Sequence, residues 1–192
     1  MNRLAWTAIV LTFALTGCGS PETTEPPAEA SAPAPAPAPV AAAASGEKRA
    51  VAALRTADGE AAGSATAVAV GEQVMITLAV EGLPPGDHGV HVHMTGRCDA
   101  PTFETAGGHW NPADARHGLE NPQGQHAGDM PNLTVGSDGR GALEYRLEGG
   151  GFDGLLDDDG SAFVVHALAD DQRTDPSGDS GDRIACGVFA RG

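Results

Sequence analysis

The chain has 192 residues, of which 41% are apolar, and a formal net charge of −15. This length and apolar content suit one folded domain with additional segments, and the excess of acidic residues excludes a nucleic-acid-binding protein, which needs a basic surface. Few aromatic residues beside many Gly and Pro residues favour short strands joined by turns over long helices.

The first segment has the pattern of an export signal. An apolar run follows one basic residue and is too short for a membrane-spanning helix. It ends in LTGC, which resembles the lipobox of bacterial lipoproteins, where cleavage precedes the cysteine and lipid is attached to it. We therefore predict a lipoprotein signal peptide over residues 1–17 and a lipid anchor on Cys18 that holds the protein in the bacterial cell envelope. The alternative is an ordinary signal peptide with an unmodified cysteine. Gly19 in place of an aspartate favours the periplasmic side of the outer membrane.

Residues 18–47 form the predicted tether, in which Ala and Pro alternate. Val40 is the only large apolar residue of the segment, so it has too little apolar surface to offset the entropy of folding. Alternating Ala-Pro favours extended polyproline II, a semi-rigid spacer. The tether therefore holds a folded domain, residues 48–192, away from the membrane. A proline-rich ligand for a partner protein is the alternative.

The folded domain is predicted to be all-β. Its clearest strand is 73–80, in which the apolar residues from Val74 to Val80 alternate with less apolar ones, as in a strand with one buried face. About eight such segments predict an eight-stranded β-sandwich or flattened barrel. The predicted strands are 50–56, 63–70, 73–80, 89–93, 133–135, 142–147, 163–166 and 184–189.

Two connections, 95–131 and 168–183, are long for a compact domain, which indicates that they carry function. Six of the seven histidines lie in or just before the first connection, and histidine is the commonest metal ligand. His91 and His93 point to the same face of a strand, so they can share one metal. Three imidazoles with a carboxylate suit zinc, whereas a set made only of imidazoles suits copper.

These motifs together resemble the copper/zinc superoxide dismutases. The segments HGVHVH, GGHWNP, QHAGDMPN, FVVHALADD and DRIACGV carry the resemblance, which extends from about residue 60 to the end of the chain. It implies a Greek-key arrangement of the strands, copper and zinc as cofactors, and superoxide as substrate. Enzymes of this family convert two superoxide ions and two protons to dioxygen and hydrogen peroxide.

The resemblance also implies the metal ligands, position by position. His109 bridges the two metals, and in the family its bond to copper breaks and its nitrogen is protonated when copper is reduced. His109 is therefore expected to be catalytic. The implied ligands are His91, His93, His109 and His166 for copper, and His109, His117, His126 and Asp129 for zinc.

Two residues beside the ligands match family positions with supporting roles. Asp170 matches an aspartate that hydrogen-bonds one histidine of each metal site, here His91 and His117. His88 matches a structural histidine that supports the strand of the copper site. The alternative for Asp170 is a solvated carboxylate in a loop.

Three further residues match the family at the substrate pocket and the disulfide. Arg183 matches the arginine that attracts and orients the anion beside copper. Cys98 and Cys186 match the intrasubunit disulfide, which an exported domain can form; free thiols are the alternative. The second long connection is acidic and lacks lysine, so we expect weak long-range steering of superoxide and slower capture than in the fastest family members.

Two other functions compete with the dismutase. A storage or delivery module for copper or zinc in the envelope would use the same ligands without turnover. A zinc hydrolase would need an open zinc position and a general base, and no glutamate lies beside the histidines. The sequence leaves open whether the chain is a monomer or a homodimer.

Overall fold

The structure of the protein is a computed structural model that describes residues 47–192. The predicted signal peptide, the lipidation site Cys18 and nearly all of the predicted tether lie outside these residues. Within the described part, no helix has the length and apolar character needed to cross a membrane.

The all-β prediction is confirmed, with nine strands in residues 47–192 instead of eight. Only single turns of 3-10 helix (Glu104–Ala106) and α-helix (α1, Phe152–Leu155) interrupt the strands in this range. The strands are β1 (Arg49–Thr56), β2 (Ala61–Val70), β3 (Gln73–Val80), β4 (Gly86–His88), β5 (Val90–His93), β6 (Leu133–Val135), β7 (Gly141–Leu147), β8 (Ala162–His166) and β9 (Arg183–Arg191).

The additional strand arises at Gly89, where the predicted strand 89–93 begins in the sequence. The structure has β4 before this residue and β5 after it, and the two strands pair with different partners, β6 and β8. A Cβ at Gly89 would lie 2.8 Å from Ser180 Cβ and 3.2 Å from Asp170 Cβ, so only glycine fits here. The chain therefore changes sheets at a point of close approach that the alternation of apolar residues does not reveal.

Seven strands form one curled antiparallel sheet, a half-barrel, in the order β5-β8-β9-β1-β2-β3-β7. The remaining two strands, β4 and β6, pair with each other. Side chains from distant strands meet in one core, for example Ile76 of β3, Leu147 of β7 and Phe163 of β8, which are all fully buried. Burying each such side chain stabilises the fold by about 1.5–3 kcal/mol.

Both long connections start from neighbouring strands of this sheet. One joins β5 to β6, and the other joins β8 to β9. A disulfide between Cys98 and Cys186, with a Cα–Cα distance of 5.7 Å, ties the first connection to β9 and confirms the predicted pairing. The fold therefore brings the histidine-rich connection, the strands β5 and β8, and Arg183 at the start of β9 to the same end of the sheet.

Candidate metal centre

The histidines of residues 47–192 are all buried, with exposed fractions of 7% or less. Two of them, His91 and His93, lie on β5, and His166 ends β8. The first connection returns along the free edge of β5: Val92 N–H donates to Gly128 O at 3.0 Å, and Trp110 N–H donates to Val92 O at 2.8 Å. These backbone bonds bring the loop histidines to the strand histidines.

The predicted copper ligands form one cluster around a common point. One ring nitrogen from each of the four side chains lies within 4.8 Å of the others. All four of these nitrogens are buried and have no hydrogen-bond partner in the protein, which is costly for a polar atom unless a ligand fills the space. A set of four imidazoles fits a copper ion. The four atoms are His91 Nδ1, His93 Nε2, His109 Nε2 and His166 Nε2.

The opposite ring nitrogens of the three strand histidines are all held by oxygen acceptors. Because these acceptors take the ring N–H, the nitrogen facing the cluster keeps its lone pair, as a metal ligand requires. The bonds are His91 Nε2 to Asp170 Oδ2 (2.6 Å), His93 Nδ1 to Gly107 O (2.9 Å) and His166 Nδ1 to Gly181 O (3.2 Å).

Burial keeps these rings neutral. It lowers the pKa of His91 and His93 well below the usual value, and it lowers the pKa of His166 to about 4. The bond from His91 to Asp170 opposes this effect without outweighing it. Near pH 7 the three rings are therefore ready to bind a metal without first losing a proton.

The predicted zinc ligands surround one carboxylate oxygen. Asp129 Oδ1 lies 2.9 Å from His109 Nδ1, 3.1 Å from His117 Nδ1 and 3.3 Å from His126 Nδ1. A zinc ion bound tetrahedrally with bonds of about 2.0–2.1 Å needs ligand atoms about 3.3 Å apart. The spacing and the chemistry of this second cluster therefore fit zinc, and His109 contributes its two nitrogens to the two clusters.

The charges of the second cluster are strongly coupled. Burial raises the pKa of Asp129, but hydrogen bonds from His109, His117 and His126 outweigh it and hold this pKa far below the usual value. Burial lowers the pKa of His117, but hydrogen bonds to Asp129 and Asp170 outweigh it and raise this pKa to about 9. A metal that binds here at neutral pH must displace a proton from His117.

Asp170 connects the two clusters, at the position where the sequence places it. Its Oδ1 lies 3.0 Å from His117 Nε2 and its Oδ2 lies 2.6 Å from His91 Nε2. Asn132, which ends the QHAGDMPN segment but was assigned no role from the sequence, fixes the Asp170 backbone through two hydrogen bonds of 2.8 Å. No local pattern could identify this role, because the partner of Asn132 lies 38 residues further along the chain.

His88 supports the cluster without facing it. Its Nδ1 lies 2.7 Å from His166 O, and its Nε2 lies 2.8 Å from Pro84 O. The ring therefore links the end of β8 to the segment before β4.

A pocket of about 470 Å³ opens onto the first cluster. It is lined by His93, His109, His166 and Arg183 among others. Arg183 is fixed by hydrogen bonds of 2.7 Å to the carbonyls of Phe103 and Gly107. Burial lowers the pKa of Arg183, but a guanidinium stays charged at neutral pH. The pocket therefore presents a guanidinium beside three histidines of the first cluster, with the carboxylate of Asp114 also in its lining, and the guanidinium is the group that can bind a small anion.

Two ion pairs, one of them formed by Arg173, join the second connection to the first. Arg173 Nε donates to Glu120 at 2.9 Å, and Arg116 Nη1 donates to Asp175 at 2.6 Å. Because these pairs are formed between exposed side chains, each contributes little to stability. Arg173 is therefore paired with Glu120 and does not line the pocket. Among the described residues that line the pocket, Arg183 is the one arginine or lysine.

Comparisons with known proteins agree on the family. The family model for copper/zinc superoxide dismutase matches residues 61–189. The superoxide dismutase-like protein YojM of Bacillus subtilis is 46% identical over 124 residues, which are 62% of this chain and 63% of that protein. Cu-Zn superoxide dismutase 2 of Aquifex aeolicus is 40% identical over 147 residues, 73% of this chain and 86% of that protein. The crystal structure of a superoxide-dismutase-like protein from Bacillus subtilis has a TM-score of 0.68 at 40% identity, covering 73% of this chain and 97% of that one.

Proposed function

Because the chain belongs to the copper/zinc superoxide dismutase family, we propose that it is itself a superoxide dismutase. It converts two superoxide ions and two protons to dioxygen and hydrogen peroxide. The observation that carries this proposal is the cluster of four buried, unpartnered imidazole nitrogens that shares His109 with a carboxylate-containing cluster. In this proposal the first cluster binds copper and the second binds zinc.

Copper supplies a one-electron redox couple when bound, and zinc supplies a fixed positive charge on the other side of the shared ring. His109 provides the proton-transfer group in this arrangement. Its Nδ1 is held beside Asp129 at 2.9 Å, whereas its Nε2 has no partner in the protein. Nε2 is therefore the atom that can take up a proton and give it to the reduced product.

Arg183 positions the substrate. Two of its five N–H groups are used by backbone carbonyls, which leaves donors free for an anion. Because the guanidinium is fixed before the substrate arrives, it costs no reorganisation when superoxide binds. It also offsets the repulsion that a chain of net charge −15 exerts on an anion.

The test compares metal-loaded Arg183→Ala with Arg146→Ala, a matched change of an exposed arginine on β7. We expect Arg183→Ala to lower the second-order rate constant for superoxide decay at low salt by about tenfold. Arg146→Ala should leave this rate constant unchanged. Pulse radiolysis measures the rate directly, and copper and zinc content must be equal in the two variants. Failure of the fully loaded wild-type chain to dismutate superoxide contradicts the proposal.

A copper and zinc storage or delivery module is the second candidate. It is favoured by the name of the Bacillus subtilis relative, which is called only superoxide dismutase-like. A store needs the ligands but has no need for a cation that orients an anion in the pocket. Stoichiometric metal binding without dismutation, unaffected by Arg183→Ala, would support the store.

We also propose that the chain is exported and anchored by lipid on Cys18 on the periplasmic side of the bacterial envelope. The LTGC sequence and the Ala-Pro tether support this proposal. The change Cys18→Ser should move the protein from the membrane fraction to the soluble fraction. Membrane association of this variant equal to that of the wild type contradicts the lipid anchor.

A further inference from the structure

A methionine lines the pocket that opens onto the first cluster. Met94 directly follows His93, and its backbone N–H donates to Gly108 O at 2.9 Å, next to His109. Its side chain lines the same pocket as these histidines. Met94 has 49% of its surface exposed, whereas the other two methionines of the described chain are half-buried or buried. Nothing in the proposed dismutase reaction uses this thioether.

The Met94 side chain rests on a fixed part of the backbone. A Cβ added at Gly107 would lie 3.0 Å from Met94 Cγ, and one added at Gly108 would lie 3.9 Å from Met94 Sδ. Gly107 O accepts hydrogen bonds from His93 Nδ1 and from an Arg183 Nη2. The Met94 side chain therefore lies beside the backbone of Gly107 and Gly108, which His93 and Arg183 hold in place.

A thioether in this position distinguishes between metals. Sulfur of methionine is a soft, neutral ligand that favours Cu(I), whereas zinc favours thiolate, imidazole and carboxylate ligands. Arg183 and Asp114, of opposite charge, both line this pocket, so charge alone does not select one cation over another there. A neutral, polarisable sulfur selects Cu(I) by its softness.

We propose that Met94 Sδ is the entry ligand for Cu(I), which binds the arriving ion at the pocket and passes it to the four ring nitrogens. This inference depends on the proposed function in one respect, namely that the first cluster holds copper. The transfer exchanges ligands only: Cu(I) leaves its donor for Sδ and then leaves Sδ for the imidazoles, with no change of oxidation state. The unpartnered ring nitrogens of His93, His109 and His166 provide the stronger, inner binding site.

The test measures the rate of copper loading into the full-length, zinc-loaded, copper-free chain. Cu(I) is supplied without oxygen as its coloured bicinchoninate complex, and the loss of colour reports transfer. We expect Met94→Leu to slow Cu(I) loading by about tenfold, the lower range for residues just outside a metal site. Loading of Cu(II), followed by its visible absorption, should be unchanged because oxidised copper favours nitrogen ligands. Met75→Leu, the same change on β3, is the matched control and should load both ions at the wild-type rate.

A second variant distinguishes the effect of losing the sulfur from the effect of changing the shape of the side chain. Met94→Gln keeps the length of the side chain and removes the sulfur, so it should slow Cu(I) loading as much as Met94→Leu does. Normal Cu(I) loading in either variant overturns the inference, and so does an equal slowing for Cu(I) and Cu(II). Failure of the wild-type chain to take up either copper ion would instead overturn the proposed function.

Discussion

The change Asp170→Ala tests how the two metal clusters are connected. Asp170 is 4% exposed, and its two carboxylate oxygens accept from His117 Nε2 at 3.0 Å and from His91 Nε2 at 2.6 Å. Alanine removes both acceptors, but the two rings differ in what else holds them. His91 lies on β5 and is fixed by the pairing of β5 with β8, whereas His117 lies in a loop.

The expected loss falls mainly on zinc. A zinc ion on His117 Nδ1 requires the proton to stay on Nε2, and without Asp170 this buried N–H has no acceptor. An unsatisfied buried donor costs about 1–3 kcal/mol. Since 1.4 kcal/mol is a factor of ten, zinc affinity should fall by about 5- to 150-fold. The zinc-free variant avoids this cost, because loss of Asp170 lowers the His117 pKa and the neutral ring can carry its one proton on Nδ1 beside Asp129. Copper affinity should fall less, since β5 still orients His91.

The assay is a competition for zinc between the protein and a chromophoric chelator, with a parallel titration of copper. Asp153→Ala is the control, because Asp153 is an exposed aspartate whose ion pair is with Lys48 and not with a histidine of the clusters. A zinc affinity within about twofold of the wild type would refute the reasoning, since it corresponds to less than the cost of one unsatisfied donor. A larger loss for copper than for zinc would refute the argument from strand and loop.

Two further predictions concern the frame of the site. Gly178→Ala should lower zinc affinity as Asp170→Ala does, because Gly178 has a φ of +61° and a Cβ there would collide with the Asp170 carboxylate. Gly149→Ala is the control, because Gly149 has a φ of +80° but open space around it, and this change should leave zinc affinity unchanged. Equal zinc affinity in the two variants would contradict the steric argument. Replacing Cys98 and Cys186 by serine opens a loop of sequence separation 88, which should lower the free energy of unfolding by about 4.5 kcal/mol. Urea unfolding of the metal-free protein measures this loss, and a value below about 1 kcal/mol would argue against the chain-entropy model.

Much of the fold follows from local patterns. The strand predicted at 73–80 has the bounds of β3, and the strand predicted at 133–135 has those of β6. In both, alternating apolar residues face the core, and this alternation is a property of adjacent residues. The separation of β4 from β5 at Gly89 was not predicted, since it depends on Ser180 and Asp170, which approach from a distant loop.

The metal site likewise has features that the sequence predicted and features that only the structure shows. Family motifs named the ligand residues, and the structure brings their donor atoms together in two clusters. The assignment of one metal to each cluster stays a proposal. Asn132 ends the QHAGDMPN motif, but the motif assigns it no role, and it matters because of its bonds to Asp170. Met94 lies outside the motifs and matters because its side chain lines the pocket.

The histidine-rich sequence by itself predicted a metal site, because imidazoles at a spacing of two on a strand share a face whatever surrounds them. The resemblance of its motifs then indicated which family it belongs to. Only the tertiary structure decided which ring nitrogen faces each cluster. That choice depends on the acceptor that holds the opposite nitrogen, and these acceptors, Asp170 for His91 and Gly181 O for His166, come from a separate connection. Packing between distant segments therefore turns a row of histidines into two distinct sites.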